Sequence, residues 1–433
     1  MNFPVLEVPW LGSELLMAAV SLVFALSAFF AVGGGTFQVL LERRAQEEGN
    51  QALLSFLQDW SRFFLLMTLI VGFVSWTGIW MGAVVLAPSA AFAFLKIFFW
   101  VFAVLCVLFV VQAASALLYH STWGVVAPRD HLAIGWIFTG SAWLSLFCLN
   151  AVMTFMLTPG GWLTGGHLHD AFFNPTFWPS ALMLASEAAG VAGLICLVAA
   201  SREGSPPLKT ILVRASAALV MPGFVLLPAG ALWHAGALPA DLRAALLHAG
   251  GPATVSFLTG LGLCVLLLIL GAAGPFRRPR AASRAMALLL LLVGIGAIAA
   301  IEGTRGVVRS PCAIYGYLYL NGLDVRSIGK LREEGFLSRA KYASVHSVSG
   351  SPVRAGREIF RLQCMTCHSI DGWNPISRAV QGWDRDVLVK QIGRLDSLQG
   401  RMPPFAGTGD EKNALAEYLL TLGAEGTKGD KKK

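Results

Sequence analysis

Charge is what this chain has least of. Only 13% of its residues are charged, against 55% hydrophobic, whereas a soluble domain carries roughly 25% charge. That shortage excludes a disordered chain and a water-soluble globule, and it points to the membrane before any segment is inspected. Cysteine is nearly as sparing with information. Cys106, Cys148, Cys196 and Cys264 lie inside apolar runs, where they read as small buried hydrophobes, and Cys312 stands alone. A disulfide scaffold is thereby excluded. Histidine is scarce and skewed, since none of the eight precedes His120. There is no visible internal repeat, and few polar residues sit at the midpoints of the apolar runs, so nothing favours a transporter. The formal net charge of +8 could suit nucleic acid, but its distribution argues for membrane sidedness and against nucleic acid.

What is present is a series of apolar runs long enough to cross about 30 Å of hydrocarbon. They fall near 13–40, 59–85, 88–118, 131–157, 178–200, 210–234, 250–273 and 284–302. The first lacks a basic leader and a small-residue cleavage site, and is expected to be a retained helix. The connections at 41–62, 119–130, 201–214 and 274–284 hold eleven Lys and Arg, whereas the N-terminus and the segments at 86–88, 158–177 and 235–249 hold Arg243 alone. The positive-inside bias puts the first set in the cytoplasm, and an even number of spans then puts both termini outside. The expected fold class is all-α: an eight-helix transmembrane bundle over 1–304, an interfacial linker with a surface helix over 305–350, a compact extracytoplasmic domain over 351–425, and a charged tail over 426–433. A multi-pass membrane protein fits this pattern.

The compact domain carries the one cysteine motif. In FRLQCMTCHSI, Cys364 and Cys367 enclose two residues and His368 follows at once, the spacing of covalent c-type haem attachment. Two thiols can form thioethers with the haem vinyl groups while the imidazole reaches the iron. The stretch RMPPFAG at 401–407 offers Met402 in a proline-stiffened loop as sixth ligand, which would raise the potential and close the iron to oxygen. His346, upstream in the linker, is the competing ligand. With Gly356, Phe360, the Met402–Pro403–Pro404 run and Tyr418–Leu419, these residues resemble the class I mono-haem cytochrome c domain over roughly 75 residues. That resemblance implies one covalent haem c, attachment at the outer face of a bacterial inner membrane, a partly exposed haem edge and electron transfer to docked redox partners.

The membrane part is similar to subunit I of the cytochrome bd quinol oxidases, on APSAAFAFLKIFFW (87–100), SLFCLNAVMTFMLTPGG (145–161), NPTFWPSALMLASEAAG (174–190), LTGLG (258–262) and VVRSPCAIYG (307–316). The family implies b- and d-type haems held by histidine and methionine, a proton path through two glutamates and a long quinol-binding outer loop. This chain departs from all three. Its first helix has no histidine, Met183 and Leu258 stand at the matching ligand positions, Phe92 and Trp100 at the matching glutamates, and only 235–249 fill the loop. A functional terminal oxidase subunit is therefore the least favoured reading.

Other histidines could flank a haem b, in the pairs His234–His248 or His120–His131, although histidines at helix ends more often have an apolar body and a wet tip. His167 and His169 could bind a metal or serve as loop residues. Among the charges near the membrane, Glu187 and Glu302 are candidate acceptors of quinol protons, with Arg305 and Lys96 as companions and interhelical pairing as the alternative. Val325–Ala343 reads as a basic surface helix beside the membrane. The expectation for function is an electron-transfer subunit of a multi-subunit respiratory complex, linked to menaquinol or ubiquinol, rather than a stand-alone enzyme. The alternative is a scaffold without haem b that tethers the c-haem domain to other membrane or outer-face redox subunits and cytochromes.

Overall fold

The computed structural model describes residues 13–340, 351–397 and 402–429. His346 and the end of the charged tail lie outside the described residues. Among the described residues, eight helices are long and apolar enough to cross a membrane, and the protein is accordingly a multi-pass membrane protein. The first span is Ser13–Glu47, followed by Gln51–Leu86, Phe99–Ser121, Pro128–Phe155, Phe177–Ala200, Pro206–Ala237, Pro252–Ala273 and Arg284–Arg309. Their starts follow from local chemistry. Proline opens the fourth, sixth and seventh spans, where its missing N–H removes no helix bond. The Asn50 side chain accepts from the Leu53 N–H and caps the second.

The third apolar run departs from expectation. It breaks at Phe98 into a short helix, Pro88–Ile97, and the span Phe99–Ser121. Phe98 leaves helical geometry (φ −108°, ψ 26°) and buries its ring fully, edge-on to Phe155 at 5.1 Å between centroids. Burial of one aromatic ring here outweighs continuity of the helix. Within the second span, Leu66–Val71 forms a π-helical turn.

The chain divides into two compact units. One comprises 22–76 and 98–308, the bulk of the bundle; the other comprises 1–21, 77–97 and 309–433. In the bundle unit the fifth span is the most buried, and Gly33 of the first span passes so close that a Cβ there would collide with the Ala188 carbonyl.

In the second unit, Pro352–Gln363 crosses the final helix Gly409–Gly429. A Cβ on Gly356 would strike the Ala414 carbonyl, so only glycine permits this crossing, and Phe360 and Tyr418 pack beside it with ring centroids 5.7 Å apart. The segment expected as a linker folds into the same core. A short antiparallel pair, Cys312–Ile314 with Leu318–Tyr319, precedes a helix of seven residues, Ile328–Glu334. Leu323, Ile328, Leu331, Phe336 and Ala340 are buried with Ile359, Phe360, Leu388 and Leu415 in one cluster. These apolar side chains, rather than the Lys and Arg between them, decide where the segment settles.

Candidate haem site and buried polar clusters

The thiols and imidazole emerge from the end of helix Pro352–Gln363 as the chain turns. The Cys364 N–H donates to the Phe360 carbonyl at 2.8 Å, and the Cys367 and His368 N–H groups both donate to the Cys364 carbonyl, at 3.1 and 3.0 Å. This turn presents two sulfurs and one imidazole within five residues. His368 Nδ1 lies 3.4 Å from the Asn374 carbonyl oxygen, a bond that assigns the proton to Nδ1 and leaves Nε2 for a metal. Burial pushes the His368 imidazole below the ordinary histidine range, with the Asn374 carbonyl as a smaller opposing influence, so the neutral, ligating form prevails at neutral pH. Asn374 itself has a left-handed backbone (φ 53°), and its Nδ2 donates to the Cys367 carbonyl at 2.9 Å. Asparagine tolerates that conformation better than most residues.

The Met402 loop is fastened to this turn by residues without any motif. Gln363, buried directly before Cys364, donates from Nε2 to the Ala406 carbonyl at 2.6 Å and accepts from the Ala406 N–H at 3.2 Å. Arg332 Nε donates to the Phe405 carbonyl at 3.2 Å. The Glu411 carboxylate accepts from the N–H groups of Thr408, Phe336 and Leu337 at 2.7–2.8 Å. Asn321 Nδ2 donates to the Gln363 carbonyl at 3.2 Å. The donor set, the neutral imidazole and the pinned methionine loop fit a covalently attached haem c.

In the bundle, Glu302 and Arg305 form an ion pair at 2.8 Å, and Arg305 also donates to the Ser180 hydroxyl, tying the eighth span to the fifth. Glu187 is fully buried, within electrostatic reach of both, and neither of its carboxylate oxygens has a hydrogen-bond partner. Such a group is costly to bury. His234 is also buried, and its Nε2 has no partner. It lines a cavity of about 20 Å³ together with Met183, Phe257, Ile301, Thr304 and Arg305. That space admits about one water molecule.

The remaining expected positions scatter. Of the expected pair His234–His248, His234 is buried whereas His248 is exposed at the end of helix Ala240–Leu247. His131 is buried with both nitrogens engaged: Nδ1 lies 2.7 Å from Glu42 Oε1 and Nε2 2.9 Å from the Tyr119 carbonyl. Glu42 also accepts from the Tyr119 hydroxyl at 2.5 Å. His120 Nδ1 lies 2.8 Å from the Ser61 hydroxyl. His167 and His169 are exposed, and among the described residues no group of three or more His, Cys, Asp and Glu is arranged for a metal ion. Leu258 (60% exposed) and Trp100 (70%) face outward from the bundle unit, and Phe257, not Leu258, reaches the cavity beside Met183. Phe92 and Lys96, in the other unit, are exposed as well.

Comparisons with known proteins agree with both halves of this description. Residues 351–419 match the family model for "Cytochrome C oxidase, cbb3-type, subunit III". The structure is similar to that of the bd oxidase from Geobacillus thermodenitrificans, with a TM-score of 0.53 and 16% sequence identity over 69% of this chain and 87% of that one. At that identity the likeness establishes fold. No curated protein matches the chain. The chain therefore joins a bd-oxidase-type membrane fold to a C-terminal cytochrome c domain, and a haem c cofactor follows from that domain. It is a membrane-bound electron-transfer cytochrome.

Proposed function

We propose that this protein passes electrons at the outer face of a bacterial inner membrane, as a subunit of a respiratory complex linked to the quinol pool. Cys364 and Cys367 would hold the haem through thioethers, and His368 and Met402 would bind its iron. When bound, the haem supplies one-electron chemistry by cycling between ferric and ferrous iron. The chain's own residues orient and protect it. Asn374 fixes the His368 ring, and Gln363, Arg332 and Glu411 keep the methionine loop in place. The reciprocal Gln363–Ala406 pair is the observation that carries this reading, because it joins the loop to the attachment turn. Both termini outside is the topology proposed with it, on the count of Lys and Arg between spans.

Quinol oxidation releases two electrons and two protons. Glu187 and Glu302 are the proposed proton acceptors. A carboxyl buried without hydrogen-bond donors is an expensive feature that stability alone does not favour. The test uses membranes containing the intact complex. Quinol-driven reduction of the c-haem should survive in the wild type, vanish in Cys364→Ala/Cys367→Ala, and slow at least tenfold in Glu187→Gln, a barrier increase of about 1.4 kcal/mol. Unchanged kinetics in Glu187→Gln would remove that residue from the reaction.

A second reading makes the spans a scaffold without haem b that tethers the c-haem beside partner redox subunits. It is favoured by His131, whose two nitrogens are already engaged, and by the water-sized cavity at His234. A chain that carries electrons only at its c-haem would take them from a partner instead of from quinol. Reduction of the c-haem by quinol in the isolated chain separates the two readings.

A further inference from the structure

We propose that a basic cleft at one end of the bundle binds the phosphate of an anionic phospholipid head group. The cleft has a volume of about 340 Å³ and is lined by Thr210 and Arg214 of the sixth span and by Arg278, Pro279, Arg280 and Ala281 of the segment after the seventh. Counted along the sequence, these arginines indicate only sidedness. The fold gathers three of them, from two separate segments, around one space.

Their surroundings leave them uncompensated. Among the described residues, Arg214, Arg278 and Arg280 form no ion pair with a carboxylate. No acidic residue occurs anywhere between 204 and 240 or between 242 and 301. Three guanidinium groups sharing a cleft repel one another, and an anion relieves that repulsion. Phosphate oxygens match the fork of N–H donors on each guanidinium. Thr210 lines the wall without donating to a ligand, since its hydroxyl donates to the Pro206 carbonyl at 2.8 Å.

Depth favours a lipid as the source of the phosphate. The sixth span has 32 residues, about 48 Å at 1.5 Å per residue, and so extends well beyond the ~30 Å hydrocarbon layer. Arg214 stands about 12 Å from its start, close to the edge of a hydrocarbon layer centred on the span, from where a long side chain reaches the head groups. Leu266 and Ile269 near the end of the seventh span, with Leu288 and Leu289 near the start of the eighth, are exposed apolar side chains within a few turns of the cleft. They offer a surface for acyl chains attached to the phosphate. Basic pockets at the ends of transmembrane helices recognise anionic head groups by this combination of charge and depth.

The test uses the full chain with its c-haem, purified in a neutral detergent and titrated in native mass spectrometry. The probes are phosphatidylglycerol, phosphatidylcholine and inorganic phosphate. Phosphatidylglycerol should bind the wild type more tightly than phosphatidylcholine does. The variant Arg214→Gln/Arg278→Gln/Arg280→Gln should lose on the order of 100-fold in affinity for the anionic lipid, with phosphatidylcholine binding and the c-haem spectrum unchanged. The single variant Arg280→Gln should lose roughly fivefold, which keeps the test open if the triple variant fails to fold. Equal phosphatidylglycerol affinity in the wild type and Arg280→Gln would overturn the site. Displacement of the lipid by equimolar inorganic phosphate would overturn the lipid assignment and leave a free-phosphate site.

Discussion

Gln363 ties the loop that carries Met402 to the turn that carries the cysteines, and nothing in its neighbourhood marks it. Its side chain satisfies both the N–H and the carbonyl of Ala406, 43 residues away. Replacing it with leucine leaves two buried backbone groups unpaired, at about 1–3 kcal/mol each. Gln363→Leu should therefore lower the unfolding free energy of the cytochrome domain, followed through haem absorbance in denaturant. It should also weaken the far-red band that reports iron–thioether bonding in the oxidised protein. Met402→Ala should abolish that band, leave covalent attachment intact, and lower the potential by on the order of 100 mV, within the ~0.8 V that axial ligands command. An unaltered band in Met402→Ala would exclude Met402 as ligand. At this scale the sequence is legible where chemistry is local, as in Cys364-x-x-Cys367-His368. Gln363, Arg332, Asn374 and Glu411 act through contacts that only the folded chain brings together, and no spacing rule reveals them.

At the scale of elements, burial sorts the helices more finely than hydropathy does. Eight spans are readable as eight apolar runs because length against bilayer thickness is a one-dimensional property. The break at Phe98 is not readable, since it depends on the fit of one ring against Phe155. The same holds for 305–340: its basic residues suggest a surface helix, whereas five apolar side chains scattered among them dock onto the cytochrome core. Two predictions belong here. Gly356→Ala forces a Cβ into the Ala414 carbonyl, and should cost about 1–3 kcal/mol or prevent stable haem incorporation, seen as loss of the c-type band in peroxidase-stained gels. Glu42 joins the first span to the third and fourth through Tyr119 and His131. Glu42→Ala strands both partners and should destabilise the bundle by at least about 3 kcal/mol, while Glu42→Gln, which retains an acceptor, should lose less. Thermal unfolding in detergent ranks the two variants, and equal stability of Glu42→Ala and wild type would show that the network is energetically idle.

For the molecule as a whole, the two halves were legible to different degrees. The cytochrome domain rests on a motif whose covalent chemistry needs that spacing, and the membrane fold rests on short echoes within a long apolar stretch. Leu258, which the resemblance sets at a haem-ligand position, faces outward from the bundle unit, while its neighbour Phe257 lines the cavity beside Met183. A shift of one residue on a helix rotates a side chain by about 100°, which is enough to exchange inside for outside. We propose that this chain carries one haem, the haem c of its C-terminal domain; the histidines of its bundle are engaged, exposed or enclosed. A pyridine haemochrome spectrum of the purified full chain, with protein measured independently, tests that claim most directly. One c-type haem per chain and no b- or d-type band is the expected result. A stoichiometric b- or d-type band in the isolated chain would contradict it.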